Sequence, residues 1–214
     1  ELIAFLGADD SWGPTKLEKQ LKVIKSAAEI GLVHCGMREF DSQTGETVGF
    51  RVHGKEGWVA DDLLLWEDPA VNVSGSSIMC RRSAFESTEG FDPEIKVGED
   101  WDLCYRIARK HKVGFVSEPL VNYRLHPGGA HKNIDHMEKG MGRFYEKAFA
   151  TEDADVLSLK SHAYGNFHRV LSGSYFRIGD YSKFAKHAIL SIRNRPANLG
   201  YFLRFPFRRL GISG

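Results

Sequence analysis

Cysteine is scarce and poorly spaced for either of its structural uses. The three cysteines, Cys35, Cys80 and Cys104, are far apart and odd in number, which offers neither a disulfide framework nor metal-ligand spacing, so a reducing cytoplasm is the expected setting. Charge of one sign is also lacking. With 29 Lys and Arg against 28 Asp and Glu, the net charge is +1, and no global field argues for nucleic acid. No apolar run approaches membrane-spanning length, and the first residues do not read as a signal peptide. What remains is ordinary for a soluble globular protein, 42% apolar and 27% charged, with enough chain for one sizeable core or one core plus a small helical appendage. The chain opens at Glu1 rather than Met and runs at once into an apolar strand, so it reads as the later part of something longer.

The densest chemistry lies at Gly98-Glu99-Asp100-Trp101-Asp102. Asp92 precedes them, so that it and Glu99, Asp100 and Asp102 all fall within eleven residues. Leu103, Ile107 and Ala108 recur at helical spacing, so a helix is expected to start near Glu99, with acids in its first turn where the helix dipole favours them. Capping alone accounts for a single acidic turn. Two features go beyond it. Glu99 and Asp100 are adjacent and cannot share a helix face, which lets one point inward as a base while the other braces the loop. The run is also entered through the turn Gly90-Phe91-Asp92-Pro93, which would seat it at the mouth of a site.

From the start of the chain, Leu2-Ile3-Ala4-Phe5-Leu6 reads as a strand buried on both faces of a parallel sheet. It ends at Gly7-Ala8-Asp9-Asp10-Ser11-Trp12-Gly13-Pro14, and ligands of open α/β sheets bind just beyond such strand ends. Adjacent carboxylates there suit a hard cation that keeps its waters and bridges to phosphate oxygens; an Asx turn with Thr15 as helix cap fits the local residues equally. Leu17, Leu21 and Ile24 mark one face of a helix. A strand is expected over Ile30 to Cys35, a hairpin-like turn over Asp41 to Glu46 and a short helix over Asp61 to Trp66. Asn72 to Cys80 alternates, with small residues at Ser74-Gly75-Ser76-Ser77 where a substrate could approach the backbone; a bulged strand is the plainer reading. A short helix starts at Arg81. Beyond the acidic element, Val113 to Val116 and Pro119 to His126 read as two extended runs. Arg124 and His126, two apart, would face the same side, beside a glycine-hinged loop at Pro127-Gly128-Gly129 that could close over an anionic ligand. From about Ile134 the pattern is helical, with an antiparallel pair joined at Gly179-Asp180. The segment Tyr201 to Leu210 mixes aromatics with arginines and could rest on an anionic membrane surface or pack on the catalytic domain; Pro206 should interrupt a long interfacial helix.

Ala8-Asp9-Asp10-Ser11-Trp12 after an apolar strand, Pro14 with Lys16-Leu17-Glu18-Lys19-Gln20, Ser76-Ser77, Gly90-Phe91-Asp92, Glu99-Asp100-Trp101-Asp102-Leu103 with Arg106, and Pro119-Leu120-Val121 with Tyr123-Arg124 and His126 come in an order that resembles the family-2 glycosyltransferases of the GT-A fold, over roughly the first 130 residues. The resemblance implies an α/β, Rossmann-like, nucleotide-diphospho-sugar transferase fold, N-terminally truncated, with residues 1–132 as a partial catalytic domain and 133–214 as a C-terminal helical region. It implies inverting transfer of a sugar from a nucleotide-diphosphate donor to a glycan or lipid-linked acceptor hydroxyl, with Mg²⁺ or Mn²⁺, in cell-surface polysaccharide or glycoconjugate synthesis. The setting implied is the cytoplasm, with possible contact at the inner face of the membrane.

Carried over residue by residue, Ala8, Asp9 and Asp10 fall in the family's D-x-D region and would meet the nucleotide sugar. Asp9 and Asp10 would bind the metal, with His126 as a further ligand. Asp100 matches the catalytic base, Glu99, Trp101 and Asp102 would shape the acceptor pocket, and Ser76 and Arg124 would contact substrate, Arg124 at the diphosphate. Gly7 departs from the pattern, since many members carry aspartate there to hold the nucleotide ribose. The base-binding strands that precede the D-x-D strand in the family, two or three βαβ-sized units of about 30 residues each, are not in this sequence. A non-catalytic fragment acting as a binding or scaffolding module is therefore the alternative expectation.

Overall fold

A computed structural model describes residues 1–66, 70–126, 128, 133–151 and 153–209, with side chains to Arg204. In chain order the elements are β1 (Leu2–Ala4), β2 (Ser11–Trp12), α1 (Lys16–Ser26), β3 (Ile30–Asp41), β4 (Thr47–Arg51), α2 (Ala60–Leu65), β5 (Met79–Arg81), α3 (Arg82–Glu86), α4 (Glu99–Ala108), β6 (Lys112–Leu125), α5 (Ile134–Ala148), α6 (Ala154–Ser158), α7 (Lys160–Arg177), α8 (Tyr181–Asn194) and α9 (Leu199–Arg209). They form two compact units, Glu1–Leu63 with Asp68–Phe144, and Leu64–Glu67 with Tyr145–Gly214. The division falls inside α5, later than residue 132.

The first unit is built on a sheet of order β1-β5-β3-β6-β2, with β4 added to β3. β3 and β6 run parallel in register from Ile30↔Lys112 to Asp41↔Leu125, while the other pairs are antiparallel. Leu32, Val33, His34, Cys35 and Met37 are all buried, the consecutive burial of a strand covered on both faces. The two runs expected over 113–116 and 119–126 are one strand, because β6 follows β3 through register shifts at Cys35 and Gly36 instead of breaking at Pro119. β1 corrects a second expectation. It is three residues long, half-buried and antiparallel to β5 at the sheet edge, because Phe5 leaves the sheet to pack on Phe85 and Phe91 at 5.8 and 5.1 Å between ring centroids.

α1 has the expected period but a different face. Lys16, Gln20 and Ile24 are buried while Leu17 is 46% exposed. The sheet presents carbonyls here: Gln20 Nε2 donates to Ser77 O at 2.8 Å and Val33 O at 3.3 Å. Lys16 Nζ donates to Gln20 Oε1 at 2.7 Å and lies 4.2 Å from the Trp12 ring centroid, so its buried ammonium has both an acceptor and a π face. Burial lowers its pKa to about 8. Thr15 stands at the N-cap without a side-chain capping bond.

In the second unit α7 and α8 form the expected helix pair. Gly179 supplies φ +82° at the corner, and Asp180 caps α8 by accepting from Lys183 N at 3.0 Å, the chemistry of a tight turn followed by an N-cap. Phe202 packs on Phe184, and Arg169 lies over Tyr201. These contacts tie the start of α9 to α7 and α8, and α9 continues through Pro206. The side chains of residues 205–210 lie outside the described residues. All three cysteines are free and buried. Among the described residues no helix is long and apolar enough to cross a membrane.

Candidate functional site

The loop that leaves β1 is held in shape by its own backbone and by one distant serine. Asp10 N donates to Gly7 O at 3.2 Å, closing a turn with Ala8 and Asp9 exposed at its tip. Gly7 N donates to Ser76 Oγ at 2.9 Å, and Ser76 Oγ donates to Asp10 Oδ2 at 2.6 Å. A Cβ at Gly7 would lie 3.2–3.3 Å from Ser76 Oγ, Asp10 Oδ2 and Asp9 Oδ1. The departure at Gly7 thus has a local reason, since an aspartate there would crowd two carboxylates and a hydroxyl.

Ser76 belongs to a 3-10 turn at Gly75–Ser77, where an alternating strand was expected. The hydroxyl-rich sequence explains the difference: Ser74 Oγ accepts from Ser76 N at 3.3 Å and Ser77 Oγ donates to Ser74 O at 2.9 Å, local bonds that compete with a ladder. The turn is seated on β3 by buried polar groups. His34 Nδ1 accepts from Asn72 N at 3.1 Å and its Nε2 meets Lys55 O at 3.0 Å, so the ring is neutral with its proton on Nε2. Burial lowers its pKa to about 4.

The last residues of β6 reach the same loop. Arg124 N donates to Asp10 Oδ1 at 3.0 Å and Arg124 Nε to Asp9 O at 2.8 Å, while the guanidinium lies over the Phe40 ring. His126 Nε2 is 3.0 Å from Asp9 Oδ2. Arg124 and His126 do face the same side, as their spacing requires. Of the three expected metal-binding residues, Asp9 and His126 come together, while each oxygen of Asp10 accepts one hydrogen bond, from Ser76 Oγ and from Arg124 N. No group of three or more His, Cys, Asp or Glu side chains gathers among the described residues. Two protein ligands still fit a hard cation that retains waters and takes its other oxygens from a diphosphate.

Asp100 enters from α4. Gly98, in the left-handed region at φ +85°, turns the chain into the helix. The Asp100 carboxylate accepts from Trp101 N at 2.8 Å and from the Gly75 amide. Asp10 and Asp100 thus approach neighbouring residues of the Gly75–Ser77 turn, Ser76 and Gly75. Burial, and then the charge of Glu99, raise the Asp100 pKa to about 6 against those amide bonds. Tyr123 completes the arrangement and was given no role from sequence. Its phenol is raised by burial and feels Asp10, Arg51, Asp100 and Asp9. Its signal was its place two residues before the end of a strand whose end carries Arg124 and His126.

Asp102 and Trp101 are turned elsewhere. Asp102 is buried and accepts from Arg106 Nε at 2.8 Å; Arg106 also donates to Thr88 O and to Gly90 O, the latter at 2.8 Å. The pair thus grips the turn around Glu89, a non-glycine residue at φ +61°, and Asp102 positions this turn from the interior instead of lining an acceptor surface. Trp101 Nε1 donates to Leu63 O at 3.3 Å. Glu99 stays half-buried beside Asp100. Pro127 and Gly129, the greater part of the expected hinge loop, lie outside the described residues.

Known proteins resemble this chain in sequence and in fold. An uncharacterized glycosyltransferase of Nostoc sp. is 25% identical over 133 residues, 61% of this chain and 41% of that protein. One of Rickettsia typhi is 24% identical over 127 residues, 59% of this chain and 40% of that protein. The chain thus spans about two fifths of the length of the curated relatives it matches. The crystal structure of S. aureus TarS 1-349 superposes with a TM-score of 0.50 at 11% identity, covering 92% of this chain and 67% of that one, which makes the fold GT-A-like. The profile described as glycosyltransferase like family 2 matches residues 1–175, and the chain belongs to that family.

Proposed function

We propose that the protein containing this chain transfers a sugar, with inversion, from a nucleotide-diphosphate donor to an acceptor hydroxyl in cell-surface glycan synthesis. The observation that carries this reading is that Asp10, bonded to Ser76, and Asp100, beside Gly75, meet neighbouring residues of one turn. On this reading a cation-binding carboxylate and a proton-accepting one belong to the same small assembly. Asp100 takes the proton of the attacking hydroxyl as the acceptor oxygen bonds to the anomeric carbon and the bond from that carbon to the diphosphate breaks. A pKa of about 6 leaves it ionised at neutral pH yet more basic than an ordinary aspartate. Asp9 and His126 would hold Mg²⁺ or Mn²⁺, which when bound neutralises charge on the departing diphosphate. Arg124 and Ser76 keep the Asp9-Asp10 turn in place, and Ala8 at its tip offers backbone to the donor.

The test is consumption of nucleotide-diphosphate sugars with Mn²⁺ or Mg²⁺ by the full-length protein, beside Asp9→Asn and Asp100→Asn. Asp9→Asn should lose metal-dependent donor binding, and Asp100→Asn should bind donor without turning it over. Donor binding without turnover by the unmodified protein, across a panel of acceptors, would favour a non-catalytic module.

A further inference from the structure

A second charged cluster lies apart from the Asp9–His126 pair. His136, Lys139, Gly140 and Arg143 fall at i, i+3, i+4 and i+7 of α5, one stripe of the helix. Opposite them runs the Glu94–Val97 segment that leads into Asp100. Together these residues line a pocket of about 340 Å³, within the range of small-ligand sites. Its shape depends on Gly140, where a Cβ would collide with Val97 O. Arg143 donates to Glu94 at 2.5 Å, so one cation is neutralised within the wall. Lys96 and Lys139 are exposed and enter no ion pair among the described residues. The pocket therefore carries an excess of positive charge. Val97 is three residues from Asp100, at most about 11 Å between Cα atoms.

We propose that this pocket holds an oxyanion of the acceptor, a phosphate or a carboxylate, while a hydroxyl of the same molecule reaches Asp100. The assignment to the acceptor rests on the sugar-transfer reading above. The pocket wall continues into the base, whereas the donor's diphosphate is assigned to the Asp9 loop on another part of the sheet. The two ammonium groups of Lys96 and Lys139, with the imidazole of His136, fit a phosphate or carboxylate and penalise a neutral group that cannot replace their water.

The experiment titrates the isotope-labelled chain with glycerol 1-phosphate and, separately, with glucuronate, reading backbone amide shifts. Saturable shifts at Lys96, Val97, Lys139 and Gly140 are expected, and the ligand that produces them tells phosphate from carboxylate. Lys96→Gln with Lys139→Gln should weaken that binding at least about tenfold, while Lys186→Gln, on the second unit, leaves it unchanged. Binding of nucleoside diphosphates with Mn²⁺ should be equal in the double variant and the unmodified chain. No saturable shift with either ligand, or equal affinity in the double variant, overturns the proposal. Because the readout needs no turnover, the two readings fail separately: anion binding by a protein that binds donor without consuming it removes sugar transfer, and with it the acceptor assignment, while the anion site itself stands.

Discussion

Ser76 holds Asp10. Its hydroxyl donates to Asp10 Oδ2 at 2.6 Å while accepting the Gly7 amide at 2.9 Å, so one side chain closes the opening loop onto a turn from the middle of the sequence. Ser76→Ala leaves a partly buried amide and a carboxylate without this partner. The expected cost is about 1–2 kcal/mol in urea unfolding, together with weaker metal-dependent donor binding; Ser76→Thr, which keeps the hydroxyl, should recover most of the binding.

Asp100 should impose a pH profile. With its pKa at about 6, turnover rises between pH 5 and 7 and then levels, and Glu99→Gln moves the rise to lower pH by removing a like charge. For stability the sign is reversed. The folded carboxyl keeps its proton above the unfolded value of about 3.9, so ionisation between about pH 4 and 6 weakens the fold. Asp100→Asn is expected to abolish transfer and to raise stability at pH 7 by on the order of 1–2 kcal/mol. Full activity in that variant would sink the base assignment.

His34 acts in the opposite direction across nearly the same window. Its folded pKa of about 4 lies below the usual 6.5, so the unfolded chain binds the extra proton and stability falls as pH drops from about 6.5 to 4. The loss should reach on the order of 2–3 kcal/mol and is best read in the Asp100→Asn background, where the opposing slope is gone. Urea midpoints at pH 4.5 and 7 measure it, and His34→Gln should flatten the difference.

Two glycines of α5 should respond oppositely to alanine. At Gly140 the new Cβ meets Val97 O, whereas at Gly142 nothing lies within 4 Å. Gly142→Ala should stabilise by about 0.5–1 kcal/mol through helix propensity, and Gly140→Ala should destabilise by about 1–3 kcal/mol through overpacking. Thermal unfolding of the two variants side by side checks this. Gly140→Ala should also disturb anion binding, because it pushes the Glu94–Val97 segment off the helix.

Motif order showed much of this in the sequence. The loop after β1, the helix starting at Glu99 and the shared side of Arg124 and His126 were all legible, because each depends on neighbours within a few residues. What failed to show was long-range. Leu17, Leu21 and Ile24 gave the right period for α1 but not its buried face, since only the folded sheet reveals the carbonyls that accept Gln20. The Asn72–Cys80 stretch alternated like a strand, and nothing local disclosed that the hydroxyls at Ser74–Ser77 would fold back on their own backbone. Asp102 looked like its acidic neighbours until Arg106, one helical turn on, claimed it. Tyr123 carried no signal beyond its position, because its surroundings come from three separate stretches of chain.

The register of β6 has one further consequence. Leu125 is still paired with Asp41, and the very next residue is His126, so the imidazole that meets Asp9 is mounted on the central keel of the sheet. The anion pocket is walled instead by a short connecting segment and one helix stripe. Evolution can re-cut that wall to suit new acceptors without disturbing the keel, whereas drift along β6 would blunt the tool and loosen the hull together.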